Sequence, residues 1–315
     1  MAYIDRDDAL ALIIEQRGPQ IIGMATETSV AMQTFRRINM GTSIYKMALL
    51  DAFPDAQWLV PSSGGDPDVV KKPTTTMAWA TQDLVAEEAA CIVVIPENVI
   101  DDASVDLWGE IQRRCAEAVA RLIDQTVFFG TAPVGSVPAS FPAGGIVGGA
   151  TAAGNVATPA ADDTVALSFS QAMALVEADG YDPTDAYADR ALRAGLRDLT
   201  DNTGRPLYAS NLQDGVRTDS IYGVGLHYTS LGSWDKTKAQ AVVGDPTMAV
   251  IGLRQDLTAK QLTEATVNGY NLAEQDMVAL RVKIRLGFVV LSPKAPGQGA
   301  TPYPFAVVAP APVGP

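Results

Sequence analysis

The segment Met277 to Val290 constrains this chain more than any other. In it Val278, Leu280, Val282, Ile284 and Leu286 alternate with Arg281, Lys283 and Arg285, before Phe288-Val289-Val290 and Pro293. A period of two puts the apolar set on one face and the basic set on the other, as in a long, half-buried antiparallel strand. Such a strand needs a hydrogen-bonding neighbour. The natural partner is the apolar stretch Ala89–Ile95, closed by Pro96, which with Leu84-Val85 flanks the acidic Glu87-Glu88. The two partners stand far apart in the chain, so a large inserted unit separates them.

Directly after the earlier stretch comes the strongest helical pattern. Ser104 serves as N-cap with Asp106 in the first turn, and Leu107, Trp108, Ile111, Cys115, Val119, Leu122, Ile123 and Val127 form an i, i+3/i+4 stripe ending near Phe128. At about 25 residues and about 1.5 Å each, the helix is about 37 Å long and can act as a strut. Arg113, Arg114 and Arg121 lie off the stripe, on a face read as solvated or inter-subunit, and Cys115 reads as a core filler. With Cys91 it is one of two cysteines, which form neither a disulfide framework nor a C-x-x-C pair.

The inserted unit opens with Gly130–Asp163, rich in Gly, Ala and Pro and without Lys or Arg, read as a loop-rich crossing with a short strand at Ile146-Val147. Helices are expected over Ser168–Ala178 and Pro183–Leu199. Strand-like runs follow at Ile221–Tyr228, Ala241–Asp245 and Met248–Leu253, with Leu257–Thr266 and Asn268–Leu272 leading back to the long strand. Helices on a short-stranded sheet make the fold class α+β.

Ahead of the sheet, Leu49–Ala80 carries Trp58-Leu59-Val60 and Thr75–Ala80 around a Ser/Gly-rich tip, which predicts a long two-stranded hairpin. An isolated ribbon is marginal in water, so Trp58, Met77 and Trp79 need a surface to lie on: either a larger sheet of the same chain or a neighbour. A short amphipathic helix capped by Asp5 ends at Gly18-Pro19. From Gln20 to Met47 follows an apolar tract without sustained period, read as an arm that lies either against another molecule or on its own body.

The chemistry excluded is informative. A net charge of −13 argues against a protein that grips nucleic acid, since that binding depends on Lys and Arg neutralising phosphates. The single histidine, His227, excludes a His-rich metal or multi-histidine centre. There is no G-x-S-x-G elbow, and Gly223-Val224-Gly225 lacks the third glycine of a dinucleotide fingerprint. Asp198, Asp201, Asp235, Asp245 and Asp256 lack the spacing of a calcium loop. No catalytic residue, metal ligand or cofactor site is expected. The chain carries no charged apolar leader and no apolar run of membrane-spanning length, so it is expected to be soluble, made in the cytoplasm and without a membrane partner.

The succession of arm, long hairpin, strand, long helix, Gly/Ala-rich crossing, inserted domain and returning strand resembles the major capsid proteins of tailed double-stranded DNA bacteriophages, the Hong Kong 97-type fold. Its most telling pieces are Ile95-Pro96-Glu97 with Asp101-Asp102-Ala103, the exit Phe128-Phe129-Gly130-Thr131, and Glu274–Arg281 leading to Arg285-Leu286-Gly287-Phe288 and Pro293. In that family's terms, 1–48 is the N-terminal helix and arm, 49–80 the E-loop, and 81–131 the first part of the peripheral domain with spine helix 104–128. Residues 132–254 are then the axial domain, and 255–315 the second peripheral part with the C-terminal tail.

The resemblance implies a non-enzymatic virion protein, made in the host cytoplasm, that assembles with itself as hexamers and pentamers into an icosahedral head. Portal and scaffolding proteins, optional decoration proteins and packaged DNA bound without sequence specificity would be its partners. Trp58, Lys71, Lys72, Met77 and Trp79 on the E-loop and Arg113, Arg114 and Arg121 on the spine would face neighbouring subunits. The family prototype joins subunits by a Lys–Asn isopeptide bond assisted by a glutamate. Here Asp276 stands at the asparagine's place and Lys283 at the glutamate's, so without the proton-accepting carboxylate the shell is expected to be non-covalent. Only the helix ending at Gly18 precedes the arm, which implies a separate scaffolding protein or a processed chain, and Met1 favours the former. A cellular nanocompartment of the encapsulin type, an oligomeric α+β enzyme and a tail-tube or decoration subunit are the competing readings.

Overall fold

The computed structural model describes residues 29–52, 54, 56, 58–59, 72, 74–75, 77–101, 107–160, 164–197, 220–229, 232–293 and 301–310. The elements in chain order begin with helix α1 (Val30–Thr34), strands β1 (Arg36–Asn39), β2 (Ile44–Ala52), β3 (Ala78–Val85) and β4 (Glu87–Pro96), and helices α2 (Glu97–Asp101) and α3 (Leu107–Phe129). Helix α4 (Gly145–Ala153), β5 (Val156–Ala157), α5 (Val165–Ala178), β6 (Asp185–Asp189), α6 (Leu192–Arg197), β7 (Ser220–Ile221), β8 (Val224–Thr229) and β9 (Ala241–Gly244) follow. The chain returns through β10 (Ala249–Leu262), β11 (Thr266–Val267), β12 (Tyr270–Asn271), β13 (Met277–Val290) and β14 (Phe305–Val308). The expected N-terminal helix around Asp5 and its Gly18-Pro19 stop lie outside the described residues, as does the Ser104 cap.

Strand β13 finds the partner its pattern demands. It runs antiparallel to β4, with Val278 opposite Ile95 and Leu286 opposite Glu87, and antiparallel to β10 on its other flank. The four-stranded order is β1-β10-β13-β4, with β1 parallel to β10. Glu87 and Glu88 belong to β4 itself, and Leu84-Val85 to β3. The apolar face of β13 packs under α3, where Cys115, Ala116, Val119, Ile123 and Val127 meet Leu280, Val282, Ile284 and Leu286 in one core. Burying each Val, Leu or Ile of this layer is worth roughly 1.5–3 kcal/mol. Arg281, Lys283 and Arg285 stay half-exposed on the opposite face.

A second sheet, in the order β5-β14-β9-β6-β8-β7, is covered by α5 and α6 through Phe169, Ala172, Val176, Leu192 and Leu196. Here the structure corrects several expectations. Ile146-Val147 begins helix α4 rather than a strand. Glycines in it and at the end of α3 allow close approaches: a Cβ on Gly130 would come within 2.6 Å of the Gly144 and Gly145 backbone, and one on Gly149 would overlap the Tyr303 ring. Within the expected helix Pro183–Leu199, residues Asp185–Asp189 form a strand, because Ala186, Tyr187 and Ala188 are completely buried between β8 and β9. The inserted unit expected to run to 254 ends earlier, since β10 starts at Ala249 and pairs in the first sheet. The segment 255–315 is split, with β14 leaving β13's sheet to lie between β5 and β9 in the second.

The described part of the arm packs on its own body. Ser29 caps α1, whose Val30, Ala31 and Met32 are buried, and β1 adds an edge to the first sheet. Phe35, 3% exposed, is the point where everything meets. Its ring lies 5.3 Å from Tyr187, 5.8 Å from Phe128, 6.1 Å from Phe305 and 6.3 Å from Phe288, one each from β6, α3, β14 and β13. The arm's missing periodicity follows from this, because its hydrophobes fill a junction rather than one face of a regular element.

Candidate functional site

The feature that stands away from this body is the β2–β3 ribbon. Its arms are Ile44–Ala52 and Ala78–Val85, paired from Ile44 opposite Val85 to Ala52 opposite Ala78. They therefore start earlier and end later than the 49–80 expected, and Trp58-Leu59 is not strand. The ribbon exposes Trp79 at 65% and Trp58, beyond the paired arms, at 95%, with Ile44, Tyr45, Leu59 and Met77 also open. Lys72 is exposed, and Lys71 lies outside the described residues.

At its base the ribbon is fixed by Leu84, fully buried with Met40, Ala86, Val250 and Val289. The seat exists because two glycines, Gly252 on β10 and Gly287 on β13, lie opposite each other. A Cβ on Gly252 would come within 2.5 Å of Leu84 Cδ2 and Met40 Sδ, and one on Gly287 would run into the Val85 carbonyl. Single glycines inside strand patterns mark such close approaches, a signal present in the sequence but not used. Gly287→Val is expected to displace the Val85 backbone and lower subunit stability by about 1–3 kcal/mol, read as a lower denaturant midpoint; an unchanged midpoint would show the seat has slack.

The remaining predicted positions are spread over the first sheet and the long helix. Arg113 and Arg114 are exposed but tied to their own helix, with Arg114 2.9 Å from both Glu110 and Glu117 and Arg113 3.4 Å from Glu110. Such exposed pairs, screened by water, add little to stability, so they order the face more than they stabilise it. Arg121 is exposed on the same helix. Asp276 occupies an exposed turn with φ 49°, its carbonyl accepting from the Glu97 amide at 2.8 Å. Lys283 Nζ reaches Glu88 Oε2 on β4 at 2.8 Å, and that hydrogen bond, with the charges of Lys283, Arg285 and Arg281, holds the Glu88 carboxyl below its usual range. A carboxylate is thus present beside Lys283, contributed by a different strand.

Two sites escaped the sequence reading. Asp124, on α3 and 1% exposed, accepts from the Ser29 hydroxyl at 2.7 Å and from the Val30 and Ala31 amides at 3.3 and 3.1 Å, clasping the arm to the long helix. The signal was a lone acid four residues after Ala120 and four before Phe128, both buried. His227 Nε2 lies 2.6 Å from Asp185 Oδ1, whose other oxygen accepts from the Thr184 hydroxyl at 2.8 Å, and the imidazole stacks on Tyr187. The threonine and the histidine occupy separate oxygens of Asp185, so the trio aligns no nucleophile with a base. Among the described residues no three His, Cys, Asp or Glu side chains are grouped to hold a metal ion, and no helix is long and apolar enough to cross a membrane.

Comparison with known proteins places this architecture. Solved structures described as Microbacterium phage Oxtober96 and Mycobacterium phage Adephagia are 40% and 32% identical to the chain, each at a TM-score of 0.78. The alignments cover 98% and 100% of this chain, respectively, and 100% of each of those chains. The structure described as the capsid of a native GTA particle shares the fold at 15% identity and TM-score 0.63, covering 91% of this chain and 90% of that one. No curated protein matches the chain. The model of the phage capsid family matches residues 11–295, so the chain belongs to the phage capsid family and is a structural protein of the virion with a Hong Kong 97-like α+β fold, not an enzyme.

Proposed function

We propose that this chain is the repeating subunit of an icosahedral head, assembling with itself as hexamers and pentamers around double-stranded DNA and held without covalent cross-links. The observation that carries this reading is the ribbon: two paired strands with Trp79, Tyr45 and Ile44 in solvent cannot bury those side chains on the body that launches them. A neighbouring copy supplies the missing surface, and the β2–β3 ribbon then acts as the E-loop, the second sheet with α5 and α6 as the axial domain and α3 as the spine. Trp58, Lys72, Met77 and Trp79 face that neighbour, as do Lys71 and, on the helix, Arg121. The net charge of −13 suits a lining along which packaged DNA slides. Synthesis in the host cytoplasm and engagement of portal, scaffolding and decoration proteins complete the reading.

The test co-expresses the chain with the scaffolding protein of its phage and compares wild type with a Trp58→Ser, Trp79→Ser double variant by sedimentation and negative-stain microscopy. Wild type should form closed shells that boil down to a single-chain band on a denaturing gel, and the double variant should remain as folded small oligomers. A double variant that closes shells equally well would refute the role of the ribbon. A ladder of covalent multimers would refute the non-covalent lattice.

A further inference from the structure

We propose that Cys91 and Cys115 are a modification site, a thiol pair that a two-electron oxidant of the peroxide class closes into a disulfide joining strand β4 to helix α3. Their Sγ atoms lie 3.5 Å apart, on two elements that face each other. Cys91 shares the helix-facing side of β4 with Ala89 and Val93, and Cys115 is 3% exposed on the apolar stripe of α3. At van der Waals contact the sulfurs need about 1.5 Å of approach to reach the roughly 2.05 Å of a disulfide. Cys91 is partly exposed and Cys115 buried, so an oxidant meets Cys91 first.

The contact also divides the reactivity. The hydrogen-bonded contact between the two sulfurs draws the Cys91 pKa down to about 7, and the same contact together with burial pushes Cys115 up. Cys91, the accessible member, is the residue whose thiolate, the nucleophilic form, meets the oxidant. The Cys91 thiolate attacks one peroxide oxygen, breaking the O–O bond, and becomes a sulfenic acid while the departing hydroxide takes a proton and leaves as water. The Cys115 sulfur then attacks the Cys91 sulfur. The S–O bond breaks, and the released hydroxide carries off the Cys115 proton as a second water. Two thiols and one peroxide give one disulfide and two waters, with two electrons passing from sulfur to oxygen.

Among the described residues strand β4 is one edge of the first sheet, bonded to β13 on one side, so this link pins an edge strand to the long helix. The occasion for closure rests on the shell reading, since a released head passes from a reducing to an oxidising medium. The thiol chemistry itself does not depend on assembly.

The experiment treats the reduced, native, full-length chain with hydrogen peroxide, then blocks with N-ethylmaleimide and measures intact and peptide masses, on shells and on dissociated subunits alike. Both alkylatable thiols should be lost, the intact mass should fall by two hydrogens, and the chain should still run at monomer size without reductant. One linked pair of peptides should carry Cys91 and Cys115. Cys91→Ser should abolish the mass loss, and Cys115→Ala should do the same if the first variant folds poorly. Retention of both thiols, Cys91 trapped as a sulfinic acid, or disulfides between chains would each overturn the proposal, whatever the outcome for shell formation.

Discussion

A chain ending at Ala300 is expected to give no soluble, folded subunit. The residues removed include β14, which occupies an interior position of the second sheet between β5 and β9 rather than an edge. Phe305, Ala306, Val307 and Val308 are all buried, with Phe305 completely so. Their backbone is bonded on both sides: Val308 accepts from the Gln240 amide at 2.8 Å, and Val307 donates to the Asn155 carbonyl at 2.9 Å. Asp179 fixes the approach to the strand, accepting from the Tyr303 amide at 3.0 Å and the Asn155 side chain at 2.7 Å. Loss of the Phe305 ring alone costs about 3–5 kcal/mol. Total stabilities are about 5–15 kcal/mol, so losing the whole strand exceeds the margin. Fractionation of expressed protein checks this, with Phe305→Ala as a graded control that should fold but melt lower. A soluble truncated chain with wild-type circular dichroism would show that the sheet closes without β14.

Asp124→Ala should cost about 3–5 kcal/mol and free the arm, because it leaves the Ser29 hydroxyl and two amides buried without an acceptor. Denaturant titration measures the loss, and proteolysis near Phe35 reports release of the arm. The same carboxyl makes a distinguishable pH effect. Burial pushes its pKa from 3.8 to about 6, against the opposing pull of its three donors. The folded state therefore holds this proton more tightly than the unfolded chain. The resulting stabilisation is full below about pH 4 and is lost as pH rises through about 6. Subtracting the stability of Asp124→Asn from that of wild type at each pH should give a difference that declines between those values. A flat difference would mean that the three donors cancel the burial.

How legible this was from sequence varied with how local the cause is. The β13 alternation and the α3 stripe are periodic, so each announced its element, its buried face and, for β13, its partner. Residues 183–199 misled because Leu192 and Leu196 keep helical spacing, while complete burial of Ala186, Tyr187 and Ala188 between two strands decides the conformation of Asp185–Asp189. Ile146-Val147 misled in the other direction: apolar β-branched residues sit in a helix whose course is set by glycine contacts with the end of α3. The Asp124 clasp and the Gly252–Gly287 seat depend on pairs of residues distant in the chain: a lone acid between buried residues and glycines inside strand patterns mark the positions, but nothing near them in the sequence names their partners. The same distance hid the approach of Cys91 to Cys115, which the chain order places on a strand and a helix without saying that their sulfurs touch.

The junction at Phe35 has a mechanical consequence. Its ring touches residues from the long helix, both sheets and the segment that completes the second sheet, so the cluster ties the two sheets together directly. In the shell proposed above, a load applied to one sheet would pass into the other through these rings, and each subunit would act as one stiff plate.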